Sequence, residues 1–146
     1  MKKVFALIAV AAVATLALTA VSIAGTRTMM GVSAKLTAGQ EVPKQAVKAA
    51  AATGKFVGTL DGNKLSWKLT FSHLTGHATA AHIHIGAMGK AGNVLASLCS
   101  PCMNGVHGTT TLSGAARTQL SHHKLYVNIH TDKNPNGEIR GQLSEK

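Results

Sequence analysis

Two histidines stand at alternate positions in Ala81-His82-Ile83-His84-Ile85-Gly86. In an extended strand, successive side chains point to opposite faces. Ala81, Ile83 and Ile85 then share one face and the two imidazoles the other. The apolar face can join a core, while the rings rise from backbone positions roughly 7 Å apart. Imidazole nitrogens hold a metal ion at about 2 Å, so the first chemistry this spacing offers is metal ligation. A His-x-His pair alone is a weak signal, because outward histidines on strands are commonly plain surface residues. A third ring strengthens it. In Lys124-Leu125-Tyr126-Val127-Asn128-Ile129-His130, Leu125, Val127 and Ile129 alternate with Tyr126, Asn128 and His130. If the two strands are neighbours, His82, His84 and His130 meet on one sheet face. Three neutral imidazoles suit copper first, with zinc as the alternative. Tyr126 and Asn128 would lie beside them as supporting hydrogen-bonding groups. A fourth position falls to water or to another histidine, for which His77 and then His73 are the candidates. His107, His122 and His123 have no partner spacing and read as surface residues.

The elements that must carry these residues are short strands. Residues 32–37 alternate weakly. Residues 44–52 are Ala/Lys-rich but lack an N-cap and an apolar stripe, so they read as loop. Residues 53–60 form a strand interrupted by glycine, and Asp61-Gly62-Asn63 is a hairpin turn. Residues 64–71 alternate most cleanly, with Leu65, Trp67, Leu69 and Phe71 facing a core. The glycine-rich segment 86–93 is a loop; no helix follows it and it lacks the phosphate-loop pattern. Strands follow at 94–98 and 106–112. Ser113 can cap a short helix over residues 114–120. After the His130 strand come the turn cluster Asp132-Lys133-Asn134-Pro135-Asn136-Gly137 and a last strand over residues 138–143. Seven or eight short strands with turns between them predict an all-β fold, an antiparallel Greek-key β-sandwich with one short helix.

The chain begins Met1-Lys2-Lys3, continues with an apolar run to Ala24, and passes the small-residue sequence Ser22-Ile23-Ala24. This predicts a signal peptide over residues 1–24, with cleavage before Gly25. The run is also long enough to serve as an uncleaved membrane anchor. Residues 25–146 then form one domain, exported to a periplasmic or extracellular setting. An oxidising compartment makes a structural disulfide the expected state of Cys99 and Cys102. No helix follows Cys99 to support redox chemistry, and no second cysteine pair exists for a zinc knuckle.

The formal net charge is +10. It is scattered rather than massed in an arm, and one Trp and one Tyr offer little stacking surface. Nucleic-acid binding is therefore not expected; the expected partners are a metal ion and an envelope protein or anionic surface.

The chain resembles the CHRD domain family, named after domains of chordin and common among exported bacterial proteins. The matching stretches are Leu36-Thr37-Ala38-Gly39-Gln40-Glu41-Val42-Pro43, Ala80-Ala81-His82-Ile83-His84-Ile85-Gly86, Tyr126-Val127-Asn128-Ile129-His130-Thr131 and Asn134-Pro135-Asn136-Gly137-Glu138-Ile139-Arg140-Gly141-Gln142-Leu143. The resemblance implies an immunoglobulin-like or Greek-key sandwich; it implies no single activity. In having a His-x-His strand, a later histidine, a disulfide and an arginine after a glycine turn, the chain is also similar to copper-zinc superoxide dismutase. That likeness implies copper on His82, His84 and His130, and Arg140 as an anion guide. The chain departs from the dismutase pattern in having no recognisable zinc loop or bridging histidine, and in placing Arg140 three positions after Gly137. The expected function is therefore metal binding without catalysis, with a dismutase-like or zinc-dependent enzyme and a non-catalytic envelope interaction module as the alternatives.

Overall fold

The alternation over residues 64–71 buries Leu65, Trp67 and Leu69 and leaves Ser66 and Lys68 in solvent. These observations come from a computed structural model that describes residues 28–146. The expected leader over residues 1–24 lies outside the described residues. Nine strands and one helix follow in order: β1 (Met30–Thr37), β2 (Thr53–Asp61), β3 (Lys64–Ser72), β4 (Ala78–Ile85), β5 (Val94–Cys99), β6 (His107–Thr111), α1 (Gly114–Ser121), β7 (Leu125–Thr131), β8 (Ile139–Gln142) and β9 (Ser144–Glu145). A short 3-10 turn at Ala38–Gln40 follows β1, and residues 44–52 form a loop, as expected.

All pairings are antiparallel, in the order β5-β4-β7-β8-β1-β2-β3-β6, with β9 on β1. The strands thus make one continuous sheet folded into two layers. Its outer strands β5 and β6 approach each other, so it is nearly closed. One layer contributes Leu36, Phe56, Leu65 and Leu69 to the core. The other contributes Ala81, Ile83, Val127, Ile129 and Ile139, and all of these are buried. The links from β3 to β4, β5 to β6 and β6 through α1 to β7 cross between layers, and the result is the expected all-β sandwich with one helix. Ser113 caps α1 as predicted, its Oγ accepting from the Ala116 amide at 3.2 Å. The helix buries Ala116 and Leu120.

One expectation fails for a physical reason. Ile85 was assigned to the apolar face, yet it is 39% exposed. It is the last residue of β4, where the chain leaves for the loop at 86–93 and the opposite layer no longer covers it. The outward side of β7 is covered as well, since Tyr126 and Asn128 are buried along with their inward neighbours. Loop residues from 86–93 and 134–138 cover that side through hydrogen bonds described below.

The two layers join where β8 meets β1, at the single register pair Thr37–Arg140. Gly141 makes the approach possible: a Cβ there would lie 2.5 Å from the Lys35 carbonyl oxygen, inside any allowed contact. Gly141→Ala is expected to push β8 off β1 and lower unfolding stability by about 2 kcal/mol, as overpacking does. Urea denaturation followed by Trp67 fluorescence would measure it. An unchanged midpoint would show that the seam yields without cost.

Candidate metal centre

The strands β4 and β7 are neighbours, and their register sets the centre. His82 lies opposite Asn128, His84 opposite Tyr126, and Ala80 opposite His130. All six residues therefore project from the outward side of the same layer. The ring centroids are 5.6 Å apart for His82 and His84, 5.0 Å for His82 and His130, and 5.9 Å for His84 and His130. One ring nitrogen from each lies within 4.8 Å of the other two.

The hydrogen bonds around the rings decide which nitrogens are free. His84 Nδ1 pairs with the Gly92 carbonyl at 3.0 Å, and His130 Nδ1 with the Pro135 carbonyl at 2.9 Å. A carbonyl can only accept, so each Nδ1 carries the proton and each Nε2 presents a lone pair. Both Nε2 atoms are buried without a hydrogen-bond partner, and so is His82 Nδ1. Buried polar atoms are normally satisfied, and three such exceptions in one cluster form a donor set in need of an acceptor of lone pairs. The rings are also held neutral. Burial lowers the proton affinity of all three. A charge on His130 would disfavour charge on His82 and His84, and Arg140 adds to the effect on His84. The carbonyl bonds to Gly92 and Pro135 offset this only in part.

A tetrahedral ion with bonds of about 2.1 Å would need nitrogens roughly 3.4 Å apart. The 4.8 Å limit therefore leaves about 1.4 Å to close at its widest. The donor set and its tautomers fit copper or zinc, and no carboxylate or thiolate belongs to the cluster.

Behind the cluster is a stack. The His84 ring lies parallel to Tyr126, 7° between planes and 4.8 Å between centroids. The Arg140 guanidinium sits over Tyr126, 3.4 Å from its ring centroid. Because β7 lies between β4 and β8, Tyr126 is held between the two side chains. Arg140 is 1% exposed and donates to the Lys90 carbonyl at 2.8 Å and the Ala87 carbonyl at 2.9 Å. This corrects the role expected for it. A buried cation whose terminal nitrogens bind loop carbonyls positions the 86–93 loop and Tyr126; it is not an exposed anion guide. The same loop supplies Gly92, which hydrogen-bonds both His84 and the Tyr126 hydroxyl.

His77 and His73 do not join the cluster. Both are exposed, in the connection ahead of β4. His107, His122 and His123 are exposed elsewhere, as expected. Cys99 and Cys102 are disulfide-bonded at the end of β5, with Cα atoms 5.1 Å apart.

Two carboxylates escaped the sequence reading. Glu138 is buried and accepts from the Thr131 hydroxyl, the Thr75 amide and hydroxyl and the Asn134 amide group. Burial pushes its pKa up, but these donors together bring it below the ordinary carboxylate value. It ties the 132–138 turn, and with it the Pro135 carbonyl beside His130, to the sheet. Glu41 is fully buried beside Asn128, whose Nδ2 donates to Glu41 Oε2 at 3.2 Å. Gly137 leaves room for the pair: its φ is +125°, and a Cβ would stand 2.6–2.8 Å from Asn128 and Glu41. With only 5 acidic residues in the chain, a lone Glu ahead of Val42-Pro43 was the available signal.

Comparison with known proteins gives one match. The model of the CHRD domain family aligns with residues 32–143, which include every residue of the centre. No curated protein and no solved structure matches the chain.

Burial raises the Glu41 pKa to about 7 against Arg140, Asn128, Val42 and Lys44, which pull it down. The folded protein therefore keeps this proton after the unfolded chain has lost it near 4.5. Its stabilising contribution is full below about pH 4.5 and lost as pH rises through 7. The stability of the native chain relative to Glu41→Gln should fall by about 3 kcal/mol across that window. Taking the difference removes the opposite trend from the three histidines. A pH-independent difference between the two urea curves would refute the buried acid.

Proposed function

The chain belongs to the CHRD domain family, and from that premise we propose that it is an exported copper-binding protein, holding one ion on His82, His84 and His130. One observation carries this reading: three histidines whose ring nitrogens come within 4.8 Å of one another each keep one buried nitrogen without a hydrogen-bond partner. Two of them have their tautomer set by backbone carbonyls. Neutral nitrogen donors bind copper more strongly than other divalent first-row ions, which favours copper over zinc. When bound, copper would supply a redox-capable Lewis acid with room for a further ligand. The chain's own residues hold the three rings neutral, fix two of them by hydrogen bonds, and shield one side with Tyr126 and Asn128.

Sequestering or carrying the ion suits the centre better than catalysis. Arg140 does not face an approaching anion, and no carboxylate stands among the ligands to act as a base. The leader-like N-terminus and the disulfide support export to an oxidising compartment.

Calorimetric titration of the purified chain with Cu(II) is expected to give one site per chain, with nitrogen hyperfine structure in its electron paramagnetic resonance spectrum. The His82→Ala/His84→Ala double variant should lose the site. Because burial holds the folded rings below their ordinary pKa of 6.5, affinity should decline at a lower pH than it would for three free imidazoles. Equal binding by both proteins would sink the assignment, and tighter binding of Zn(II) would replace copper with zinc.

A further inference from the structure

The opposite outer face of the sandwich is of a different kind. The outward positions of β1, β2, β3 and β6 include Lys35, Lys55, Lys64 and Lys68, all exposed, and His107. The strand registers place them in rows. Lys35 lies directly opposite Lys55, Lys68 opposite Val57 on one side and His107 on the other, and Lys64 opposite Asp61. Asp61 is the only carboxylate in these four strands. Like charges facing each other across strands are unfavourable, so the Lys35–Lys55 pair does not serve the fold. Threonine and serine occupy most of the remaining outward positions, and the turn after β1 reaches this face at one end, where Gln40 donates to the Lys35 carbonyl and the Thr37 hydroxyl.

We infer that this lysine-bearing sheet face docks the protein on an anionic phospholipid surface. A sheet face holds its lysines near one plane, which matches a planar array of headgroups better than it matches a groove or a thread-like polymer. The strands of this face present no outward phenylalanine, tyrosine or tryptophan ring for a base or a sugar to stack on: Phe56 and Trp67 both point inward. Apolar side chains are instead available at its surface, Val57 among the lysines at 38% exposure and Met29 just ahead of β1 at 66%. The chain's one long apolar run, residues 4–24, precedes β1 by a few residues. Retained as an anchor, it would deliver β1 and this face to the bilayer, with the histidine centre on the far side.

Each lysine near an anionic membrane strengthens partitioning by about fivefold. The test is sedimentation of the full chain with vesicles of phosphatidylcholine alone and of phosphatidylcholine with phosphatidylglycerol. The readout is the ratio between the two, because the apolar run contributes to both. The native chain should favour the anionic vesicles, and less so at high salt. Lys35→Glu/Lys55→Glu/Lys68→Glu should lower the ratio on the order of a hundredfold. The control Lys48→Glu/Lys124→Glu/Lys133→Glu makes the same charge change elsewhere and should lower it far less. Circular dichroism would confirm that both remain folded; if the triple Glu variant does not, the corresponding Gln variant should still lose most of the preference. An equal loss in the control, retention by the face variant, or no preference for anionic vesicles overturns the inference. Face-dependent capture on an immobilised polyuronate without a vesicle preference would do so as well, assigning the face to a polysaccharide.

Discussion

The pairing of β4 with β7 is the constraint on which the rest of this molecule depends. Residue His82 opposite Asn128 and His84 opposite Tyr126 puts three imidazoles, a tyrosine and an asparagine on one side of one layer. A slip of a single residue would exchange the faces of β4, driving His82 and His84 into the core and Ala81 and Ile83 out of it. The apolar burial of Ala81, Ile83, Val127 and Ile129 therefore holds the register, and the register holds the centre. The energy that fixes the geometry of the histidine cluster is in large part hydrophobic, on the side of the sheet where no histidine of the cluster stands.

Over this frame lies a second layer of control. Backbone carbonyls at Gly92 and Pro135 choose the tautomers of His84 and His130. Each carbonyl belongs to a loop held by a buried ion: the 86–93 loop by Arg140, the 132–138 turn by Glu138. The charged residues of the final motif thus act at one remove, fixing the loops that fix the rings. The two outer faces divide accordingly. One is roofed by loops hydrogen-bonded to the sheet, and burial there lowers the proton affinity of its histidines. The other is left open and basic.

Much of this was legible in the chain because it is periodic. Alternation in residues 64–71 and 124–130 gave the strands and their faces, His-x-His gave two members of the cluster, and Ser113 gave the start of the helix. Less legible was anything decided by what covers a face. Ile85 keeps the strand period yet lies beyond the opposite layer. Arg140 looks like a surface cation in sequence, and its burial is made favourable by partners from other segments, the Tyr126 ring and two loop carbonyls among them. Glu41 and Glu138 carry no periodic signal, because their partners Asn128 and Thr75 come from distant segments. His77 is close to His82 along the chain but remains exposed on the connection that precedes β4.

Tyr126 is the single tyrosine of the chain and Trp67 the single tryptophan. The first is stacked on His84; the second is packed near Phe56 in the other layer, with its indole nitrogen donating to Thr110. The protein therefore carries two native chromophores in separate places, one against the candidate centre and one in the opposite layer. Ultraviolet absorbance and emission can distinguish an event at the histidines from a loosening of the sandwich, with no label added.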